Sequence, residues 1–257
     1  MRVATFNILH GRSLTDDQVS VEALARAVRS LDADVLALQE VDRNQPRSHG
    51  ADLTAVAAEA MGAVDHRFVA ALSGSPGATW VAATGVEQPD AAAYGIALLS
   101  RHPVTAWEIV RLPALPAPVP MRFSGSRIPE LVRDEPRVAV AAQVETPEGT
   151  LTVANTHLSF IRWWNRWQLR HLVRSLASAR RPLLLMGDLN MDAARAASLT
   201  GLRSLARHHT FPVDEPREQL DHVLADGPVR TEASEARRLA LSDHQALVVD
   251  LTLGTPG

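Results

Sequence analysis

The chain contains no cysteine and no lysine. Without cysteine there is no disulfide framework, no thiolate metal site and no sulfur nucleophile. Without lysine there is no Schiff base and no phosphate-loop ammonium. All 26 basic residues are arginine, a bias of composition that goes with the many alanines. They are outnumbered by 29 acidic residues, giving a formal net charge of −3, so the chain is no generic polycation for nucleic acid. Only a local basic stripe could serve that purpose. No apolar run approaches the roughly 18 residues of a membrane span. The start, Met1-Arg2-Val3-Ala4-Thr5-Phe6, runs straight into a strand pattern. It has no apolar h-region and no small-residue cleavage site, so a cytoplasmic location is expected. Internal repeats and interdomain linkers are also lacking.

What is there is ordinary globular material. The 257 residues are 46% hydrophobic and 21% charged, enough for a substantial buried core. One domain over residues 1–257 is expected. Apolar runs predict strands at Val3–Leu9, Val35–Leu38, Phe68–Leu72, Ile96–Leu99, Val104–Val110, Arg137–Val144, Leu151–Asn155, Leu183–Met186 and Ala246–Leu251. Ser20 is a plausible cap for a helix with Val21, Leu24, Val28 and Leu31 at helical spacing. A second helix spans Asp52–Met61, stopped by Gly62. The longest helix is expected at Trp163–Ala179. Residues Ser73–Asp90 read as a hairpin with long loops. Leu112–Glu135 carries five prolines and so holds neither a regular helix nor a central strand. A loop of that length in a compact domain usually has a function.

Polar residues follow several of these apolar runs at once: Asn7, Glu40, His157, Asp188 and Asn190. Asp221 and Asp243-His244 precede others. Each alone is explained by turn chemistry. As a set, acids, amides and imidazoles at strand ends suggest a rigidly held site for a hard divalent cation.

These residues carry a resemblance. Thr5-Phe6-Asn7, Leu38-Gln39-Glu40, Gly95-Ile96-Ala97-Leu98-Leu99-Ser100-Arg101, Asn155-Thr156-His157-Leu158, Gly187-Asp188-Leu189-Asn190, Leu220-Asp221-His222-Val223 and Ser242-Asp243-His244 resemble the motifs of the endonuclease/exonuclease/phosphatase superfamily, in its order. Each motif alone is weak, and the ordered set is specific. The resemblance implies an α/β (α+β) fold, a four-layer α-β-β-α sandwich of two mostly antiparallel sheets with helices outside. It implies metal-dependent hydrolysis of phosphoesters with Mg²⁺ or Mn²⁺. Glu40 would be the principal metal ligand, with Asn7 and Asp243 beside it. Asp188 and Asn190 would orient water and phosphate, Asp221 and His244 would form a carboxylate–imidazole pair, and His157 would contact phosphate. Asp188 is the leading general base, with His244 the other candidate.

The expected substrate is a phosphoester, a nucleic acid among the candidates, and the activity a phosphodiesterase or nuclease. The alternatives are a phospholipid or inositol-phosphate phosphatase, a sphingomyelinase-like hydrolase, or a non-catalytic binding module. The stretches Gln39-Glu40-Val41-Asp42 and Asn155-Thr156-His157-Leu158 depart from the DNA-repair branch. Arg43 and Arg47 would hold a substrate phosphate unless a loop salt bridge takes them. Arg162, Arg166, Arg170 and Arg174 form a stripe among Trp163, Trp164 and Trp167. That stripe could meet phosphates, bases or lipid, although a solvated outer face is the preferred reading. The proline-rich loop, with Arg122, Arg127 and Arg133, and the start of this helix are expected to frame the substrate groove.

Overall fold

The computed structural model describes residues 1–88, 90–122 and 128–254. Arg127, one of the expected groove arginines, lies outside the described residues. The chain opens with β1 (Arg2–Asn7), α1 (Val21–Leu31), β2 (Val35–Arg43), α2 (Leu53–Met61), β3 (Asp65–Gly74), β4 (Trp80–Ala82) and β5 (Ala93–Ser100). It continues through β6 (Val104–Leu112), β7 (Val119–Met121), β8 (Glu130–Val132), β9 (Arg137–Thr146), β10 (Gly149–His157) and α3 (Arg162–Ser175). It closes with β11 (Leu183–Asp188), α4 (Ala193–Thr200), β12 (Arg203–Ser204), β13 (Asp221–Asp226), β14 (Val229–Arg237) and β15 (Ala246–Leu253).

Two sheets dominate. One has the order β14-β15-β1-β2-β5-β3-β4, the other β12-β13-β11-β10-β9-β6. Each is antiparallel except for one parallel pair, β1 with β2 and β10 with β11. Parallel neighbours need a crossover, and α1 and α3 supply it. The period-2 alternation of the strands sorts their side chains. Val35 and Ala37 face the other sheet, where they share a core with Val138, Val140, Val153 and Met186. Leu36 and Leu38 point outward and pack under Leu24, Val28, Leu31 and Leu53 of α1 and α2. On the far side, Ala139, Leu183, Leu185 and Leu224 pack under Leu169 and Leu172 of α3 and Ala196 of α4. The result is the four-layer sandwich, with sheets outweighing helices.

The helix signals act as expected. Ser20 accepts from the Ala23 amide at 3.1 Å, and the Asp52 carboxylate accepts from Thr54 and Ala55 at 2.9 and 3.0 Å. Each thereby satisfies first-turn donors that the helix cannot. Most strands run a few residues beyond their apolar runs, and four boundaries have a specific cause. β1 stops at Asn7 because Leu9 and His10 turn left-handed, with φ of 44° and 46°. β2 continues past Glu40 because that residue absorbs a bulge, taking φ of 56° where the register with β5 shifts. α3 ends at Ser175 and a single tighter turn, Leu176–Ser178, completes the expected span. The proline-rich loop holds the small β7–β8 hairpin, whose two strands pair only with each other. Among the described residues no helix is long and apolar enough to cross a membrane.

Candidate active site

The two parallel pairs place their C-terminal ends side by side. In one sheet Asn7 pairs in register with Gln39, next to Glu40. In the other, His157 pairs with Asp188 and Asp188 with Asp221, which sets three polar side chains in one row across β10, β11 and β13. Close approach of β10 and β11 depends on Gly187. A β-carbon there would lie 1.9 Å from the Thr156 carbonyl oxygen, and its φ is 133°.

Asn7 joins the two halves. Its amide nitrogen donates to Glu40 Oε1 at 3.0 Å and to Asp188 Oδ2 at 3.1 Å. Its oxygen accepts from the Leu9 amide at 3.1 Å. The nitrogen therefore faces the carboxylates, and Asn7 braces them in this arrangement. Asp188 also accepts from the Asn190 amide at 2.9 Å. Asn190, left-handed with φ of 50°, is pinned by its side-chain nitrogen to the Leu158 carbonyl and by its own carbonyl to Asn165, both at 2.9 Å.

Two imidazoles face the same carboxylate oxygen. His157 Nε2 lies 3.5 Å and His244 Nε2 lies 3.8 Å from Asp188 Oδ2. The groups behind them differ. Nδ1 of His244 donates to Asp221 Oδ2 at 2.9 Å, while Nδ1 of His157 meets the Arg137 guanidinium at 3.2 Å. Burial works against charge on His244. Attraction and hydrogen bonding by Asp221, with Asp188 and Asp243 adding to them, overcome it and raise its pKa to about 10. For His157, burial and the cations Arg137 and His244 act together and push the pKa well below the usual imidazole value. Burial raises Asp188, and the positive charge of His244 opposes the rise. Burial likewise raises Glu40, partly offset by Asn7 and Arg137, while the charge of Asp243 adds to the rise.

His244 is placed by its loop. Ser242, with φ of 73°, donates its hydroxyl to the Asn7 carbonyl at 2.6 Å and accepts from the His244 amide at 3.1 Å. The Phe211 ring sits 4.9 Å from the imidazole. His222 is a structural neighbour, fully buried with Nε2 donating to the Met191 carbonyl at 2.8 Å.

The expected site residues are thus brought together: Asn7, Glu40, Asp188 and Asn190 are joined by hydrogen bonds, the His244–Asp221 pair and His157 approach Asp188 through their imidazoles, and Asp243 acts electrostatically on Glu40 and His244. The arginines divide. Arg47 grips buried Asp42 with two bonds of 2.7 and 2.8 Å and lies over the Tyr94 ring. Arg43 lies over the Phe68 ring and leaves its buried Nε without a partner. Arg162 is exposed at the start of α3, and Arg166 is half-buried. Trp164 and Trp167 stack at 4.5 Å, and Trp163 and Trp167 are exposed. The proline-rich loop packs against the start of α3 and the segment before it. Asp134 accepts from Ser159 at 2.6 Å, and the Pro113 carbonyl accepts from Trp164 at 3.1 Å.

Sequence reasoning missed Arg137, Tyr94 and Phe211. Tyr94 is buried and feels the charges of Glu40, Arg137, Glu135 and Arg47. Its ring packs against Trp80 at 5.7 Å, and Trp80 donates to Glu135 at 3.3 Å. A charge heading an otherwise apolar strand was the available signal for Arg137. Phe211 carries none, because its role depends on a loop distant in sequence.

For a hard cation, the chemistry of the donor set fits at Glu40 and Asp243. Two carboxylates act on each other there, and Asp243 makes no hydrogen bond or ion pair through its side chain among the described residues. Asp188, Asp221 and His244 also crowd three donor atoms within 4.8 Å. Within that group Asp221 Oδ2 already accepts from His244 Nδ1 at 2.9 Å.

The Endonuclease/Exonuclease/phosphatase family profile matches residues 4–244, and the chain belongs to that family. Its members are typically hydrolases of phosphoesters and generally use divalent metals. Among solved structures, an endonuclease/exonuclease/phosphatase from Beutenbergia cavernae is similar, with 25% identity and a TM-score of 0.71 over 99% of this chain and 72% of that one. A mannosyl-6-phosphatase from Bacteroides thetaiotaomicron has 16% identity and a TM-score of 0.64, covering 98% of this chain and all of that one. Sphingomyelinase C from Streptomyces griseocarneus has 17% identity and a TM-score of 0.59, covering 97% and 98%. The latter two share the fold. Comparison with curated proteins by sequence yields no match.

Proposed function

We propose that this protein is a divalent-cation-dependent phosphodiesterase, with Glu40 and Asp243 as cation ligands and Asp188 as general base. The observation that carries the reading is the pair of unlike imidazoles on one raised carboxylate. His244 is cationic because Asp221 stands behind it, so it has no free lone pair with which to take a proton. Asp188, lifted by burial, is the group whose basicity approaches neutrality. A bound Mg²⁺ or Mn²⁺ would supply Lewis-acid stabilisation of the phosphate and lower the pKa of a coordinated water. Asp188 orients the attacking water and receives its proton as the water oxygen bonds phosphorus and the P–O bond to the leaving alcohol breaks, the released alkoxide taking a proton from solvent. His244 donates through Nε2 to a phosphoryl oxygen on which charge builds, and His157 and Asn190 hold the remaining oxygens. Asn7 keeps Asp188 and Glu40 at a fixed separation.

Turnover of a nitrophenyl phosphodiester, plasmid DNA, RNA, sphingomyelin and phosphatidylinositol phosphates tests the reading. Activity on at least one is expected to vanish with EDTA and to return with Mg²⁺ or Mn²⁺. Asp188→Asn should lower kcat about 10²-fold or more with the fold retained. Full turnover in metal-free protein, or by the Asn variant, would refute the assignment.

A further inference from the structure

Arg137 heads β9, beside the end of β10, and is only 6% exposed. One terminal nitrogen lies 3.2 Å from His157 Nδ1, the other lies 3.6 Å from a Glu135 carboxylate oxygen, and Nε is buried without a partner among the described residues. A guanidinium has five N–H donors and no acceptor. Contact with Nδ1 is therefore a hydrogen bond only when Nδ1 presents its lone pair. The ring is then neutral, and its one proton is on Nε2, the atom that faces Asp188 at 3.5 Å. His244 is wired the opposite way, since an ionised Asp221 accepts and cannot donate.

We propose that Arg137 is a positioning residue that fixes His157 as the Nε2–H tautomer, opposite to the Nδ1–H that Asp221 holds on His244. The inference rests on the hydrolase reading for its consequence and on geometry alone for its content. A positive charge on His157, 3.5 Å from Asp188, would draw down the basicity that the reaction needs. A neutral ring still offers one well-aimed donor to a phosphoryl oxygen. Arg137 thus acts as a fixed positive charge behind the ring, where a carboxylate would have made His157 a second His244. The same charge stabilises the ionised Glu40, so the strand-heading arginine serves both halves of the site.

Long-range ¹H–¹⁵N correlation spectra of the metal-free protein, labelled at histidine, read the tautomer directly. The His157 signals can be assigned by their loss in His157→Gln. The wild type should give one bare and one protonated nitrogen for His157, with Nδ1 bare, and a protonated Nδ1 for His244. Arg137→Lys, which still only donates, should keep this pattern. Arg137→Glu should protonate Nδ1, and the His244 signals report whether the variant is folded. If it is not folded, the wild-type and Lys spectra decide alone. In turnover of a nitrophenyl phosphodiester, Arg137→Met should lower kcat roughly 10- to 100-fold with KM little changed, and Arg137→Lys should recover most of it. A protonated Nδ1 in the wild type overturns the proposal. So does an unchanged tautomer in folded Arg137→Glu, or a kcat for folded Arg137→Met equal to the wild type. A wild type inert toward every phosphoester would sink the hydrolase reading and leave the tautomer prediction standing on its spectra.

Discussion

Asp221 and His244 illustrate how a single buried contact links stability to pH. Asp221 is fully buried, one of its oxygens binds His244 Nδ1 at 2.9 Å, and the other has no partner among the described residues. The folded His244 pKa of about 10 lies above the ordinary imidazole value of 6.5. A raised pKa means that the folded state holds the proton more tightly. The stabilisation is therefore complete below about pH 6.5 and is lost as pH rises through about 10. Asp188, raised by burial, tilts stability in the same direction. In Asp221→Asn the attraction is gone, burial dominates His244, and this contribution disappears. Urea unfolding of metal-free protein should show the advantage of the wild type over Asp221→Asn shrinking between pH 6.5 and 10, by an amount on the order of a few kcal/mol. Parallel pH profiles for the two proteins would mean that the imidazolium is not held by Asp221.

At the level of elements, the parallel pair β10–β11 sets how closely His157 and Asp188 can sit. Gly187 permits it, since its missing β-carbon would fall 1.9 Å from backbone oxygen. Gly187→Ala should cost about 3 kcal/mol or more, read as a lowered urea midpoint. Gly201, past the end of α4, also has a positive φ, of 72°, but open space around it, so Gly201→Ala should cost only about 1 kcal/mol. Equal costs would show that backbone conformation, not strand approach, decides the matter. Most elements that carry the site were legible in sequence because a polar residue borders a buried apolar run, as Asp188 follows Leu183–Met186 and Asp243-His244 precedes Ala246–Leu251. Those that escaped have weak patterns. In α4 only Ala196 is buried, and β14, Val-Arg-Thr-Glu-Ala-Ser-Glu-Ala-Arg, is an edge strand whose exposed face is polar. Arg137 escaped for a different reason. Its partner, His157, lies on the neighbouring strand, and no local periodicity encodes a cross-strand contact between a charge and a ring.

Across the whole molecule, catalysis by this cluster needs two sheets held in one alignment, because Asn7 and Glu40 belong to one and His157 and Asp188 to the other. Apolar packing between sheets resists separation but is tolerant of sliding. Asn155 supplies direction. From β10 its amide nitrogen donates to the carbonyls of Leu38 and Ala97 at 2.9 and 2.8 Å, residues that pair across β2 and β5 just before the Glu40 bulge. Its oxygen accepts from Gln39 at 2.7 Å, and Gln39 in turn donates to Thr5 at 3.0 Å. All of these side chains are buried, so every bond removed leaves a group that water cannot reach. Asn155→Ala should destabilise the protein by roughly 3–5 kcal/mol, since two carbonyls and the Gln39 amide lose their partners together. It should also cost activity under conditions where the variant is still folded, because the bridge lies two residues from His157 and one from Glu40. The check compares kcat at a temperature well below each protein's own unfolding midpoint. A variant that loses stability but keeps wild-type kcat would show that packing alone aligns the two halves of the site. A loss of kcat beyond the unfolded fraction would assign that alignment to the polar bridge.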